Sequence, residues 1–156
     1  MKEKVLEYLK AKGYADRIVS HSETIDTVEH AAKQIGCSEA EIAKTLSFLV
    51  DNKPVIVVMA GDMKVNSSKF KAQFHTKPHM IPRELVEGLT GFQPGGVCPF
   101  GLPADIPVWL DVSMKRFDTI HPAAGDEYTS ATLSPSELET IVDAKGWCDV
   151  GKEISE

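Results

Sequence analysis

The spacing of apolar residues changes along the chain from a helical period to extended runs and back to a helical period. Near the start, Val5, Leu6 and Leu9 share one helix face between Lys2 and Lys12, and Gly13 supplies a C-terminal cap. Further helices are predicted where a capping residue precedes an apolar period and a glycine or phenylalanine closes it. These helices are Asp26 to Gly36, a short one from Ser38, Asn66 to Phe74, Pro82 to Gly91 and Ser134 to Gly146.

Apolar runs rich in β-branched residues predict the strands. Two hairpins are expected, one around the turn at Asp51 to Lys53 and one around Gly125-Asp126. The predicted strands are Arg17 to Ser22, Lys44 to Val50, Pro54 to Ala60, Val108 to Val112, Thr119 to Ala123 and Glu127 to Leu133. With helices first, hairpins in the middle and a helix last, the order predicts one α+β domain over residues 1–156. Its sheet is expected to be mixed, mostly antiparallel and curved, with flanking helices.

The composition agrees with one globular domain. The chain has 156 residues, of which 42% are apolar and 26% charged, and this is enough for a real core. It has no signal-peptide pattern and no apolar run of membrane length, so we expect a cytoplasmic protein without a membrane partner. Cys37, Cys98 and Cys148 form no CxxC pair, and this odd set indicates reduced thiols.

The net charge of −6 argues against a protein that coats DNA or a long stretch of RNA. Basic residues nevertheless gather locally, with only Asp62 opposing them. They are Lys64, Lys69, Lys71, Lys77 and Arg83. Such a group is either a solvated helix face, which composition alone favours, or a contact for a few phosphates.

The segment from Gly91 to Pro103 holds four glycines and three prolines in thirteen residues, so it cannot be regular structure. Within it, the glycines of Gly95 to Gly101 let the backbone approach a ligand closely, and the prolines fix the path of the chain. Such a loop can present amides to an oxyanion or to a polar ligand edge, or it can be a plain connection.

Lys44 is the second candidate, because it stands where a short helix leads into a strand and has apolar neighbours. A partly desolvated lysine binds an anion firmly, although a surface lysine at a strand end is the simpler interpretation. Asp111 can steer an ammonium group or cap the residues that follow it.

Other chemistries are weaker. Cys98 invites a thiol nucleophile, but no histidine stands in a supporting motif and a packing role is favoured. His75 and His79 have a metal-compatible spacing that Pro78 interrupts, and no third ligand is evident, so no metal is predicted. No phosphate-binding glycine motif of the P-loop or dinucleotide type occurs, and no cofactor is expected.

Three segments resemble the YbaK/ProX aminoacyl-tRNA deacylases, the free-standing relatives of the editing domain of bacterial prolyl-tRNA synthetases. They are Ala43 to Leu46, Val57 to Asp62 and Gly91 to Gly101, and the likeness runs from about Arg17 to Ala144. The resemblance implies hydrolysis of the ester between an amino acid and the terminal ribose of tRNA. Its substrate would be prolyl-specific tRNA carrying a small residue such as cysteine or alanine, and prolyl-tRNA synthetase would be a second partner beside the acceptor end.

The resemblance also assigns residues. It implies catalytic roles for Lys44, Gly95 and Gly96. It implies substrate contacts for Thr45, Val97, Cys98, Pro99, Phe100, Gly101 and Asp111. The attacking group would be water, the neighbouring ribose hydroxyl or the substrate's own thiol, so no protein nucleophile is needed. Two alternatives remain open: a non-catalytic module that binds tRNA ends or a synthetase, and a small-molecule hydrolase that uses Cys98.

Overall fold

The computed structural model describes residues 2–154, which form a single α+β domain. Its helices are α1 (Lys2–Lys12), α2 (Val28–Ile35), α3 (Ser67–Phe74), α4 (Arg83–Thr90) and α5 (Pro135–Ile141). Its strands are β1 (Ile18–Ser20), β2 (Ile42–Val50), β3 (Lys53–Ala60), β4 (Met63–Val65), β5 (Val108–Asp111), β6 (His121–Pro122), β7 (Thr129–Ala131), β8 (Gly146–Cys148) and β9 (Gly151–Glu153). No helix in residues 2–154 combines the length and apolar character that crossing a bilayer requires.

The central sheet is mixed and has the strand order β6-β2-β3-β5-β8. The predicted hairpin of β2 and β3 is confirmed and is the longest antiparallel ladder of the described residues. The other three ladders of this sheet are parallel, whereas the small sheets β1-β7 and β4-β9 are antiparallel. The predicted α+β class with a mixed sheet is therefore confirmed.

Strand β3 is the centre of the core because both faces of the sheet are covered there. Ile56 and Val58 face one cluster that includes Phe100 and Leu110, while Val57 faces another with Phe48 and Phe70. A strand buried on both faces needs no polar residues, which explains the unbroken apolar run in the sequence.

Local capping signals placed most helix starts correctly. Asn66 accepts a hydrogen bond from the Lys69 amide, and Ser134 forms a full capping box with Glu137. The start of α2 is shifted by one residue: Thr27 is its N-cap, because the Asp26 carboxylate instead contacts the His30 ring. Pro82 is likewise the residue before α4, not its first helical residue.

The end of the chain differs more. The predicted helix to Gly146 is wrong, since α5 ends at Ile141 and Gly146 begins β8. A Cβ at Gly146 would lie 3.1 Å from the Trp109 ring, so glycine serves strand packing here and not a helix end. The short strands β4, β8 and β9 were not predicted, because three residues show no period.

The second predicted hairpin is confirmed only in part. Ile120 and Leu133, on either side of the turn at Gly125, donate backbone hydrogen bonds to each other, as expected for a hairpin. However, β6 pairs in parallel with β2, and β7 pairs with β1. This long-range pairing brings His121 beside Ile42, at the edge of the central sheet.

Candidate active site

A cavity of about 180 Å³, here called the inner cavity, lies at the open edge of β2. It contains both features that the sequence singled out: Lys44 and the segment 95–97 of the glycine-proline loop. The segment before α2, α2 itself and the turn after β6 form the rest of its walls. Its other lining residues include Ile25, Asp26, Thr27, Val28, Ala31, Ile35, Ile42, Ala43, Thr45, His121, Ala123, Asp126 and Glu127.

Lys44 is half-buried and held by backbone carbonyls. Its ammonium donates to the carbonyl oxygen of Gly61 at 3.4 Å and to that of Met63. Burial lowers the pKa of Lys44, and the nearby Asp62 carboxylate opposes that shift. A cation that is partly stripped of water and fixed in direction is well suited to hold a ligand oxygen.

The carbonyls around Lys44 are themselves fixed. A Cβ at Gly61 would lie only 2.1 Å from the Glu39 carbonyl oxygen, so no larger residue fits this close backbone approach. Asp62 is clamped by Arg116 through two hydrogen bonds of 2.7 and 3.0 Å. Hydrogen bonding to Arg116 is the main reason why the pKa of Asp62 is lowered.

Thr45 lines the cavity and has polar groups without a hydrogen-bond partner within residues 2–154. Its Oγ1 is buried, and no hydrogen-bond partner is found for it among the described residues. The Ile81 amide donates to the Ser47 carbonyl, and the Leu49 amide donates to the His79 carbonyl, so these alternate residues of β2 turn their main-chain groups to the outer edge. By the same alternation the N–H and C=O of Thr45 face that edge, beyond the point where β6 stops.

The glycine-proline loop begins with a tight turn at Gln93 to Gly96. The Gly96 amide donates to the Gln93 carbonyl at 2.8 Å, Pro94 is the second residue, and Gly95 has φ +81°. This is the pattern of a type II turn, which requires a glycine-like residue at its third position. The Gly96 amide is thus engaged within the turn and is not free for a ligand.

Three carboxylates and one imidazole also line the inner cavity. Asp126 is fixed, because its Oδ1 accepts from the Tyr128 amide and from Thr129 Oγ1. His121 Nδ1 lies 3.3 Å from Thr132 Oγ1. Burial lowers the pKa of His121, and the nearby His21 adds to that shift while Glu41 opposes it. A neutral imidazole is therefore favoured near neutral pH, and it can accept a proton.

The structure brings Lys44, Thr45, Gly95, Gly96 and Val97 together at one cavity. It does not bring the remaining five predicted site residues there. Cys98 and Phe100 are buried in the core, Pro99 lines a separate surface hollow, Gly101 packs on Lys4, and Asp111 is buried.

The physical reasons for these placements are visible in their contacts. Burial raises the pKa of Cys98 to about 12, and its Sγ donates to the Phe100 carbonyl at 3.5 Å. An inert thiol in an apolar setting is a packing residue. The Asp111 carboxylate accepts from the amides of Ser113 and Val150, so the capping interpretation holds and backbone amides engage both of its oxygens.

Sequence reasoning missed the cavity residues outside the three resembling segments. From the sequence, Asp26 is predicted only as a helix cap and Glu127 only as part of a strand. His121 carried no signal at all, because its position depends on the parallel pairing of β6 with β2. No group of three histidine, cysteine or acidic side chains within residues 2–154 is arranged to hold a metal ion.

Comparison with known proteins gives a consistent set of matches. The model of the aminoacyl-tRNA editing domain matches residues 22–141. YwhH of Bacillus subtilis, a protein of unassigned function, is 46% identical over 129 residues and aligns over 81% of this chain and 82% of its own length. EbsC of Enterococcus faecalis, named as a candidate Cys-tRNA(Pro)/Cys-tRNA(Cys) deacylase, is 27% identical over 85% of this chain and 82% of its own length.

Two further matches extend the set. The proline–tRNA ligase of Bacillus licheniformis is 30% identical over 70% of this chain, which spans only 19% of that longer protein. A crystal structure of a candidate trans-editing enzyme for prolyl-tRNA synthetase superposes with a TM-score of 0.87 at 23% identity, covering 97% of this chain and 96% of that chain. This last likeness concerns the fold.

Proposed function

The chain belongs to the aminoacyl-tRNA editing domain family, and from this premise we propose that it deacylates mischarged aminoacyl-tRNA in the inner cavity. The observation that carries the proposal is that Lys44, Thr45 and the turn at Gly95 line one small cavity, with the buried hydroxyl of Thr45 beside it left without a partner in the described part of the chain. An aminoacyl ester is already reactive, so positioning of this kind is enough to promote its hydrolysis.

The proposed substrate is prolyl-specific tRNA that carries a small amino acid such as cysteine or alanine. A volume of about 180 Å³ is below the ~300–1,000 Å³ of pockets that hold drug-sized ligands, so the inner cavity suits a small group. Its apolar wall includes Ala31 and Ile42, which suit a short side chain. The name of EbsC supports the choice of tRNA and of cysteine.

In the proposed reaction an oxygen nucleophile adds to the ester carbonyl carbon. The bond from that carbon to the ribose oxygen then breaks, and the ribose oxygen takes up a proton. With water as nucleophile, the products are the free amino acid and tRNA with a free terminal hydroxyl. Lys44 holds a substrate oxygen, and the amide of Thr45, which faces the outer edge of β2, orients the ester. No protein nucleophile takes part, in accord with the buried thiol of Cys98.

The test is a deacylation panel with tRNA(Pro) charged separately with cysteine, alanine and proline. Wild type should release cysteine or alanine and leave proline attached. Lys44→Ala and Lys44→Met should lower kcat/KM about 100-fold, as the loss of one fixed electrostatic contact does in other enzymes. Lys10→Ala removes an exposed lysine of α1 and serves as the matched control.

The alternative is a module that binds tRNA ends or a synthetase without catalysis. It predicts that wild type and Lys44→Ala bind the charged tRNA and that neither releases the amino acid. That result, with circular dichroism confirming the fold of each variant, would overturn the proposed activity.

A further inference from the structure

Two other hollows meet the inner cavity at Gly95. One, of about 260 Å³, is here called the outer groove, and its lining includes Thr45, Met80, Arg83, Pro94 and Gly95. The other, of about 550 Å³, also reaches Arg83 but contains the carboxylates that border the inner cavity. Thr45 and Gly95 line both the inner cavity and the outer groove, so a ligand that fills both must pass between β2 and the turn.

We propose that the outer groove binds the terminal nucleotide of the RNA, with Arg83 on its 5′-phosphate and Met80 against its base. The aminoacyl group then enters the inner cavity, and the ester lies between Thr45 and Gly95. This inference rests on the proposed function and adds to it the binding site of the terminal nucleotide and the orientation of the substrate.

Charge sets this direction. Arg83 is the one charged residue that lines the outer groove within the described part of the chain. The lining of the inner cavity instead includes three acidic residues, Asp26, Asp126 and Glu127, and a single lysine, Lys44, whose ammonium is already engaged by backbone carbonyls. An aminoacyl nucleotide is cationic at its α-ammonium and anionic at its phosphate, so it fits with the amino acid inside and the phosphate at Arg83.

The 550 Å³ hollow is the competing place for the nucleotide. A phosphate there would meet the same three carboxylates, and like charges repel at close range. The outer groove has no carboxylate in its lining, which decides between the two.

The arginine also lies at a helix start. It is the first residue of α4, and Pro82 before it supplies no side-chain cap, so the amides of the first turn add positive potential beside the guanidinium. Glu84 shares this turn but lines neither hollow. No salt bridge engages Arg83 among residues 2–154.

Met80 offers the surface for the base. Met80 is 54% exposed, the highest value among the large apolar residues of the described part of the chain. Its backbone is nevertheless fixed, because the neighbouring His79 and Ile81 both hydrogen-bond to β2. A polarisable thioether on a fixed backbone packs well on an aromatic ring. Lys44 is then left to hold an oxygen of the ester or the ribose.

The probes are adenosine 5′-monophosphate and adenosine, which differ only in the phosphate and are added as inhibitors of deacylation of mischarged tRNA(Pro). Arg83→Gln should raise the inhibition constant of the monophosphate about tenfold, the size of a lost charge-assisted hydrogen bond, and leave that of adenosine unchanged. Met80→Ser should raise both constants. Lys10→Gln should change neither. With charged tRNA, Arg83→Gln should raise KM and spare kcat.

Equal inhibition of wild type by the two probes, an unchanged constant for the monophosphate in Arg83→Gln, or non-competitive inhibition would each overturn the assignment of the outer groove. In those cases wild type still deacylates tRNA, so the proposed function survives. Wild type that deacylates none of the charged tRNAs is a different result, visible before any inhibitor is added, and it removes the premise. Both substituted side chains are exposed, so the variants are expected to fold.

Discussion

Replacing Thr45 by valine should make the protein more stable and less active. The two side chains have nearly the same shape, so the substitution removes the hydroxyl and leaves the packing unchanged. In the folded protein Oγ1 is buried and has no partner, whereas in the unfolded chain it is hydrated. A buried hydroxyl in this state carries an uncompensated desolvation cost.

The magnitude follows from that cost. An unsatisfied buried polar group costs about 1–3 kcal/mol, and the partial exposure of the residue places Thr45 at the lower end. We expect Thr45→Val to raise the free energy of unfolding by about 1 kcal/mol. The same substitution should lower kcat/KM for charged tRNA, because the residue beside the cavity then lacks its hydroxyl.

The matched control is Thr90→Val, at a fully buried threonine of α4. There Oγ1 donates to the Val86 carbonyl at 2.7 Å and accepts from the Phe92 amide at 3.2 Å. Valine would leave that amide unsatisfied, so the free energy of unfolding should fall by about 1–3 kcal/mol. Urea unfolding with a shared m-value measures both variants. If Thr45→Val destabilises the protein as much as Thr90→Val does, the hydroxyl has a partner and the reasoning fails.

Two further predictions concern stability. Burial lowers the pKa of both His21 and His121, so the unfolded chain binds their protons more tightly. The free energy of unfolding should be highest above about pH 6.5 and decline as the pH falls through that value. His121→Gln should flatten this decline in urea titrations between about pH 5 and 8. An identical slope in wild type and variant would contradict this prediction. Gly61→Ala would place a Cβ 2.1 Å from the Glu39 carbonyl and should cost about 1–3 kcal/mol or more, whereas Gly88→Ala, with open space in α4, should stabilise by about 0.5–1 kcal/mol. Thermal unfolding compares the two glycine variants, and equal effects would refute the close-approach argument.

The sequence predicted those parts of the fold whose causes are local. Ser134 and Glu137 are three residues apart and cap α5 together, as their spacing alone indicates. The apolar run of β3 is long enough to identify a buried strand. By contrast, β8 depends on contact with β5, and its three residues carry no period of their own.

The residues of the candidate site likewise divide into those with a local sequence signal and those placed by distant contacts. The family resemblance identifies Lys44, and the glycine-proline pattern identifies Gly95. Both signals lie within short segments of the sequence. Cys98 and Asp111 lie away from the cavity that the resemblance assigned to them, because their burial is set by core residues distant in sequence. His121 reaches the cavity only through the pairing of β6 with β2, which no local signal contains.

The most direct measurement compares Lys44→Ala and Cys98→Ala on one substrate, cysteinyl-tRNA(Pro), with folding of both variants verified. We expect the lysine variant to lose nearly all turnover and the thiol variant to keep it in proportion to its folded fraction. Loss of turnover in Cys98→Ala with full activity in Lys44→Ala would show that the chemistry lies with the thiol and not in the cavity at the edge of β2.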